Sequence, residues 1–85
     1  MSHVRVTIDR DDRNSRRVVE TLLDLVPSTE VRDAREDDDA ADFLDRLVCC
    51  GTVTPVVEVA GLMLTAPTPP EAVLAVRRAA PDLVG

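Results

Sequence analysis

The sequence has 85 residues, enough for one domain with a modest core and too few for a cleft between two domains. Its 16 acidic and 10 basic residues give a formal charge of −6, which repels the phosphates of nucleic acids and anionic membranes. The chain has one phenylalanine and no tryptophan or tyrosine, so it offers no aromatic surface on which bases could stack. We therefore expect neither a nucleic-acid partner nor a membrane partner.

The sequence also predicts the cellular location. Its first residues, MSHVRVTIDR, reach charged side chains before any apolar run long enough for a secretory signal. The longest apolar runs are only a few residues, far short of the roughly 20 that a membrane-spanning helix needs. The two cysteines, Cys49 and Cys50, are adjacent and do not resemble the spaced framework of a secreted mini-protein. We expect reduced thiols in a cytoplasmic protein with a single domain over residues 1–85.

The N-terminal part predicts a strand followed by a helix. Val4, Val6 and Ile8 alternate with polar residues, which is the pattern of a strand with one buried face. After a polar segment, Ser15 is a good helix cap and is expected to begin a helix that runs to about residue 26, before Pro27. The residues at helical spacing are Val18, Val19, Leu22, Leu23, Leu25 and Val26.

The middle of the chain predicts a second strand and a second helix. The segment 29–34 carries Val31 among charged residues, which favours a short strand at the edge of a sheet. An acidic run over 36–39 then precedes an apolar stripe at helical spacing, and negative charge in the first turn suits the helix dipole. Cys49 and Cys50 fall in the last turn of this predicted helix, and Gly51 is expected to end it.

The C-terminal part predicts a hairpin and a third helix. Strands are expected over 56–59 and 62–65, joined by a tight turn at Ala60-Gly61. Pro69 and Pro70 precede a helix that ends at Pro81. Its inward residues are expected to be Val73, Leu74, Val76, Ala79 and Ala80.

The predicted order is β-α-β-α-β-β-α, an α/β fold. Strands joined through a helix should be parallel with a right-handed crossover, whereas the closing hairpin should be antiparallel. The sequence therefore predicts a mixed four-stranded sheet with helices on both faces.

With this order, the Thr54-Pro55 pair and the step from Pro55 to Gly61 carry a resemblance to a known family. The chain resembles small glutaredoxin-like members of the thioredoxin-fold superfamily over nearly all of its length. The resemblance implies that Pro55 is cis and that Thr54, preceded by Val53, presents its backbone to an extended peptide or to glutathione. A trans proline at a strand start is the ordinary alternative.

The family's redox motif, two cysteines separated by two residues, belongs at the start of the first helix, where the helix N-terminus stabilises a thiolate. The matching segment here is about Asp12 to Ser15 and has no cysteine. Dithiol and monothiol exchange at that position are therefore excluded, and we expect no conventional oxidoreductase and no cofactor.

Arginines crowd the loop and first turn of the first helix, and two interpretations remain open. Arg13 and Arg16, together with exposed helix N–H groups, could receive a carboxylate, a phosphate or a glutathione-like ligand. Alternatively, Asp9, Asp11 and Asp12 neutralise the arginines of a solvated loop.

The vicinal cysteines also have two interpretations. Helical spacing projects Cys50 inward, where free cysteine commonly packs. Cys49 is less constrained and could carry sulfur chemistry, although a helix C-terminus raises the pKa of a thiol. Two thiols do not complete a tetrahedral zinc site, and His3 is the sole histidine, so no metal site is expected.

The residues favour a binding module that uses Val53, Thr54, Pro55, Arg13 and Arg16. Its partner would be a protein or peptide segment, a small thiol, or a second copy of the chain paired through the fourth strand. An atypical thiol oxidoreductase or a sulfur or metal carrier using Cys49 and Cys50 is the alternative. A structural subunit of a larger bacterial assembly is a third possibility.

Overall fold

Strands and helices follow one another in the predicted order in the computed structural model, which describes residues 3–48 and 54–84. The elements are β1 (Val4–Ile8), α1 (Arg13–Leu25), β2 (Glu30–Asp33), α2 (Asp38–Val48), β3 (Val56–Val59), β4 (Leu62–Thr65) and α3 (Pro69–Ala79). A short 3-10 turn over Pro81–Leu83 comes after α3. No helix within the described residues is long and apolar enough to cross a membrane.

The four strands form one mixed sheet in the order β2-β1-β3-β4. β1 is parallel to β2, with Val6 opposite Val31, and antiparallel to β3, with Val6 opposite Val57. β3 and β4 form the closing antiparallel hairpin. The predicted mixed sheet, the parallel first pair, the antiparallel hairpin and the edge position of β2 are therefore confirmed.

Helices cover both faces of the sheet because the strand residues alternate between two apolar clusters. On one face, Val6 and Val57 belong to the main core, to which α1 contributes Val18 and Leu22 and α3 contributes Val76. On the other face, Val56 packs with a smaller group from α2. That group consists of Phe43, Leu44 and Leu47 together with Ala34. The α/β architecture thus has α1 and α3 on one side and α2 on the other.

The first helix begins earlier than predicted, and Ser15 is not its cap. α1 starts at Arg13, and Asp12 is the N-cap residue, in extended conformation with φ −84° and ψ 118°. The Asp12 carboxylate accepts hydrogen bonds from the backbone N–H of Ser15 at 3.3 Å and from its hydroxyl at 2.7 Å. Because Ser15 is fully buried inside the first turn, it supports the cap rather than forming it.

The inward face of α3 also differs from the prediction at Leu74. The buried residues of this helix are Ala72 and Val76, whereas Leu74 is 50% exposed. Residues 72 and 76 are one helical turn apart and share one face, so position 74 between them lies on the opposite side. Thr68 caps the helix through a reciprocal capping box with Glu71, which the sequence analysis did not anticipate.

A two-residue turn at Ala60 and Gly61 joins β3 to β4, as predicted. Both residues have positive φ angles, 49° and 82°. This combination is that of the tight hairpin turn whose twist matches the flanking strands, and glycine adopts it without steric cost.

Candidate functional site

One end of the sheet, where β1 stops and β3 starts, brings together the segments that the sequence analysis singled out. Thr7 pairs with Val56, so the end of β1 lies beside the start of β3. The backbone N–H of Ala66 donates to the carbonyl of Pro55 at 2.8 Å, and the Asn14 side-chain amide donates to the carbonyl of Pro67 at 2.9 Å. Residues 12–16, 54–55 and 66–67 therefore share one end of the sheet, and we call the rim of the molecule at this end the Thr54 edge.

The Thr54-Pro55 peptide bond is cis, which confirms what the resemblance implied for this pair. Pro55 is fully buried, and Thr54 is half-buried. Within residues 3–48 and 54–84, the backbone N–H and C=O of Thr54 make no hydrogen bond. Because β3 begins only at Val56, these two groups lie just beyond the strand ladder. There the N–H can donate a hydrogen bond to a ligand and the C=O can accept one.

Asp12 and Ser15 occupy the two positions at which the resemblance would place cysteines. Their side chains touch, with 2.7 Å between the Asp12 carboxylate oxygen and the Ser15 hydroxyl oxygen. Asp12 is half-buried at the helix start, and Ser15 is buried one turn behind it. Neither side chain can transfer electrons, and the carboxylate already provides the negative charge that a helix N-terminus favours.

Two acidic residues of the loop, Asp9 and Asp11, pair with an arginine that follows β2. The Arg35 guanidinium binds Asp9 at 3.2 Å and also binds Asp11. The pKa of Asp9 is lowered, first by the hydrogen bond from the backbone N–H of Asp11 and then by Arg35. Arg10 pairs with Asp33 at 3.3 Å, farther along the chain. Arg10 also acts on the charge of Asp9, whereas no ion pair joins Asp9, Asp11 or Asp12 to an arginine of α1 among the described residues.

As a result, the arginines at the start of α1 keep their charge available. Arg13, Arg16 and Arg17 are exposed, and none has an ion pair or hydrogen bond from its side chain among the described residues. Arg13 is the first helical residue, and Arg16 lies in the next position after Ser15. The Thr54 edge thus combines open backbone groups with a helix start that carries arginines unpaired in the described part of the chain, which suits a carboxylate-bearing peptide.

Several predicted site residues lie outside the described part of the chain. These are Val53, Cys49, Cys50 and the proposed cap Gly51. The thiol and carrier interpretation of the cysteines therefore stays a prediction. Among the described residues, no group of three or more His, Cys, Asp or Glu side chains is placed to hold a metal ion.

Two features of this edge were not found by sequence reasoning. Asn14 links the start of α1 to the loop before α3, although 53 positions separate it from Pro67. Arg35, 26 positions from Asp9, neutralises the loop acids. Nothing local in the sequence signals either contact, because both depend on how β2 and the hairpin are placed beside β1.

Comparisons with known proteins found no matching protein-family model, no matching curated protein and no matching solved structure.

Proposed function

We propose that this chain is a thioredoxin-like binding module that takes a peptide segment with a free carboxylate, such as glutathione, at the Thr54 edge. The observation that carries the proposal is the pairing of open Thr54 backbone groups with exposed arginines that lack acidic partners among the described residues. Both features belong to the one edge that the Ala66 and Asn14 hydrogen bonds hold together.

The arrangement of elements supports the thioredoxin-like assignment. The strand order β2-β1-β3-β4, with β3 antiparallel to β1, is the order of the four-stranded sheet in that superfamily. The cis bond before Pro55 and the contact between Asp12 and Ser15 fall at the positions that the family uses for its ligand groove and its two cysteines. The family assignment remains part of the proposal.

Binding at this edge would use the backbone first. An extended peptide can add to Thr54 as a short strand, exchanging N–H and C=O hydrogen bonds with groups that have no partner among the described residues. A carboxylate of the same peptide would then bind Arg13 or Arg16, whose planar guanidinium groups suit carboxylates. Because these arginines are exposed, each should contribute only about 0.2–1 kcal/mol to affinity.

The same edge is unsuited to disulfide exchange by its own residues. Asp12 and Ser15 replace the thiols, and their mutual hydrogen bond stabilises the helix start instead. A ligand thiol would therefore be held at this edge without forming a bond to it. The proposed activity is recognition, with no electron transfer at α1.

Isothermal titration calorimetry with reduced glutathione tests the proposal. Arg13→Gln and Arg16→Gln should each weaken binding by about 1.4- to 5-fold, which is the loss of 0.2–1 kcal/mol. Arg77→Gln is the matched control, because Arg77 is also exposed but lies in the last turn of α3. Equal affinity in all variants, or an equal loss in the control, would contradict the role of the α1 arginines.

A further inference from the structure

The two edges of the sheet differ sharply in their chemistry. β2 forms one edge and carries Glu30, Arg32 and Asp33, with Glu30 bound to Arg5 of the neighbouring strand. β4 forms the other edge and reads Leu62-Met63-Leu64-Thr65, without a charge or a proline. Charges and prolines are the usual means of preventing a sheet edge from pairing with another strand. Only the β2 edge has this protection.

The backbone groups that β4 leaves open can be identified from its pairing with β3. Ala66 donates to Pro55, so these residues form a hydrogen-bonded pair. Hydrogen-bonded and non-hydrogen-bonded pairs alternate along an antiparallel ladder. The next hydrogen-bonded residues of β4 are therefore Leu64, opposite Val57, and Leu62, opposite Val59 beside the turn. The N–H and C=O groups of Met63 and Thr65 therefore point away from β3, toward the free edge.

Apolar side chains of α3 lie beside this edge. A groove runs between β4 and α3, and its lining residues are Leu62, Leu64, Glu71, Leu74, Ala75 and Arg78. The α3 members are spaced by three and four positions and so share one stripe of the helix. Leu62 and Leu74 are 45% and 50% exposed, which is unusual for large apolar residues so close together.

The charges at the two ends of this stripe are opposite. α3 follows β4 directly, so Glu71 lies near the Thr65 end of the strand and Arg78 near the Leu62 end. Leu74 and Ala75 lie midway between them. A second copy rotated by 180° about an axis through the middle of this stripe would place acid against base at both ends. The stripe is thus complementary to itself.

We propose that β4 pairs with β4 of a second copy of this chain, forming a symmetric dimer with one continuous sheet. The two strands run antiparallel, and the α3 helices lie side by side on the same face. Leu74 packs against Leu74 of the second copy, while Glu71 and Arg78 meet their opposites across the two-fold axis. This inference concerns a different surface from the Thr54 edge and does not rest on the proposed function.

The open backbone groups also select a register. A two-fold axis perpendicular to the sheet keeps each side chain on its original face. Residues that lie directly opposite in an antiparallel pair also share a face, so the axis must pass through a residue that lies opposite its own copy. With the axis at Leu64, Met63 of each copy exchanges hydrogen bonds with Thr65 of the other. With the axis at Met63, Thr65 would face the turn residue Gly61 and lose its partner. The register centred on Leu64 is therefore preferred.

The contact is small. β4 has 4 residues and spans about 13 Å, and α3 has 11 residues and spans about 16 Å. Elements of this length give an interface at the lower end of the range for specific complexes, on the order of 1,000 Å² of total buried surface. We expect reversible dimerisation with a dissociation constant on the order of micromolar or weaker.

Sedimentation velocity over a range of protein concentrations tests the dimer. The unaltered chain should shift from monomer to dimer as its concentration rises toward the order of 1 mM. Met63→Lys should weaken the dimer by at least about 10-fold, because it places a charge on the edge strand. Leu23→Lys is the matched control, since Leu23 is 38% exposed on α1, outside the β4 groove, and should leave dimerisation unchanged.

A second pair of variants tests the charge arrangement. Arg78→Glu should weaken the dimer because the new carboxylate would face Glu71 of the second copy, whereas Arg77→Glu should have little effect.

The register is tested by NMR. In a mixed sample of labelled and unlabelled chains, an intermolecular NOE between the Leu64 α-protons would confirm the register. A chain that stays monomeric at millimolar concentration, including one whose β4 edge pairs only with strands of other proteins, would overturn the proposal. Equal dimerisation by the Met63 and Leu23 variants would do the same.

Discussion

An introduced thiol at position 12 tests whether the start of α1 has the electrostatic character of a thioredoxin-like site. The variant is Asp12→Cys in a chain whose own cysteines are replaced by Cys49→Ser and Cys50→Ser. The Ser15 N–H that now donates to the Asp12 carboxylate at 3.3 Å would donate to the thiolate instead. Arg13 and Arg16, which have no acidic partner among the described residues, would add positive charge nearby.

The expected size of the effect follows from these contacts. A helix N-terminus stabilises a nearby anion by about 0.3–1 kcal/mol. A hydrogen bond to a charged group adds about 1.5–3 kcal/mol. Taking a total near 2 kcal/mol, the ratio of thiolate to thiol at neutral pH should rise by about 30-fold, and the pKa of the introduced thiol should fall.

The assay is the rate of iodoacetamide alkylation as a function of pH, which follows the thiolate fraction. The matched control is Asp24→Cys in the same background, because Asp24 is exposed in the last turn of α1. There the helix dipole disfavours a thiolate, so alkylation at neutral pH should be slower than at position 12. Equal rates at the two positions would refute the reasoning about the helix start.

Three further predictions concern stability and the thiols. Leu22→Ala should destabilise the fold by about 2–5 kcal/mol in chemical denaturation, because Leu22 is fully buried in the main core, and a loss below 1 kcal/mol would contradict that packing. Hydrogen bonds from the backbone N–H groups of Ala40 and Thr68 lower the pKa values of Asp37 and Glu71, respectively. Their contribution to stability is therefore complete above about pH 5 and lost as the pH falls further, so the denaturation midpoint should drop only in that acid range. Finally, if Cys49 and Cys50 serve only in packing, alkylation should require unfolding, whereas rapid alkylation of the folded chain at neutral pH would favour the thiol-carrier alternative.

The fold was predictable where the signal is local. Val4, Val6 and Ile8 alternate cleanly, and Ala60-Gly61 is a turn pair at the correct spacing between apolar runs. In the structure these residues form β1 and the hairpin turn, as expected. Local pattern determines such elements because strand period and turn geometry depend on neighbouring residues alone.

Local pattern failed where two positions offered similar chemistry. Asp12 and Ser15 are both good N-cap residues, and only the structure shows that Asp12 caps the helix while Ser15 is buried. Leu74 was assigned to the core because α3 is apolar on more than one side. Val76 is buried as predicted, but Ala72 is buried in place of Leu74, which remains exposed beside β4.

The residues of the candidate site could be predicted from the sequence, but the ion pairs around it could not. Thr54-Pro55 and the α1 arginines were identified from residue type and order. The pairing of Asp9 and Asp11 with Arg35 could not be, because it depends on the parallel placement of β2 beside β1. That pairing engages Asp9 and Asp11, whereas Asp12 stays at the N-cap of α1 and forms no ion pair with Arg13 or Arg16 among the described residues.

Mapping of reduced glutathione on the isotope-labelled protein by two-dimensional amide NMR tests the central claim most directly. We predict that the largest shift changes fall on the amides of Thr54, Val56 and the first turn of α1, with intermolecular NOEs to Thr54. The amides of Val59 and Leu62, at the opposite end of the sheet, should change little. An absence of changes at Thr54 with ligand on the order of 10 mM, or changes confined to other surfaces, would contradict the proposed binding site.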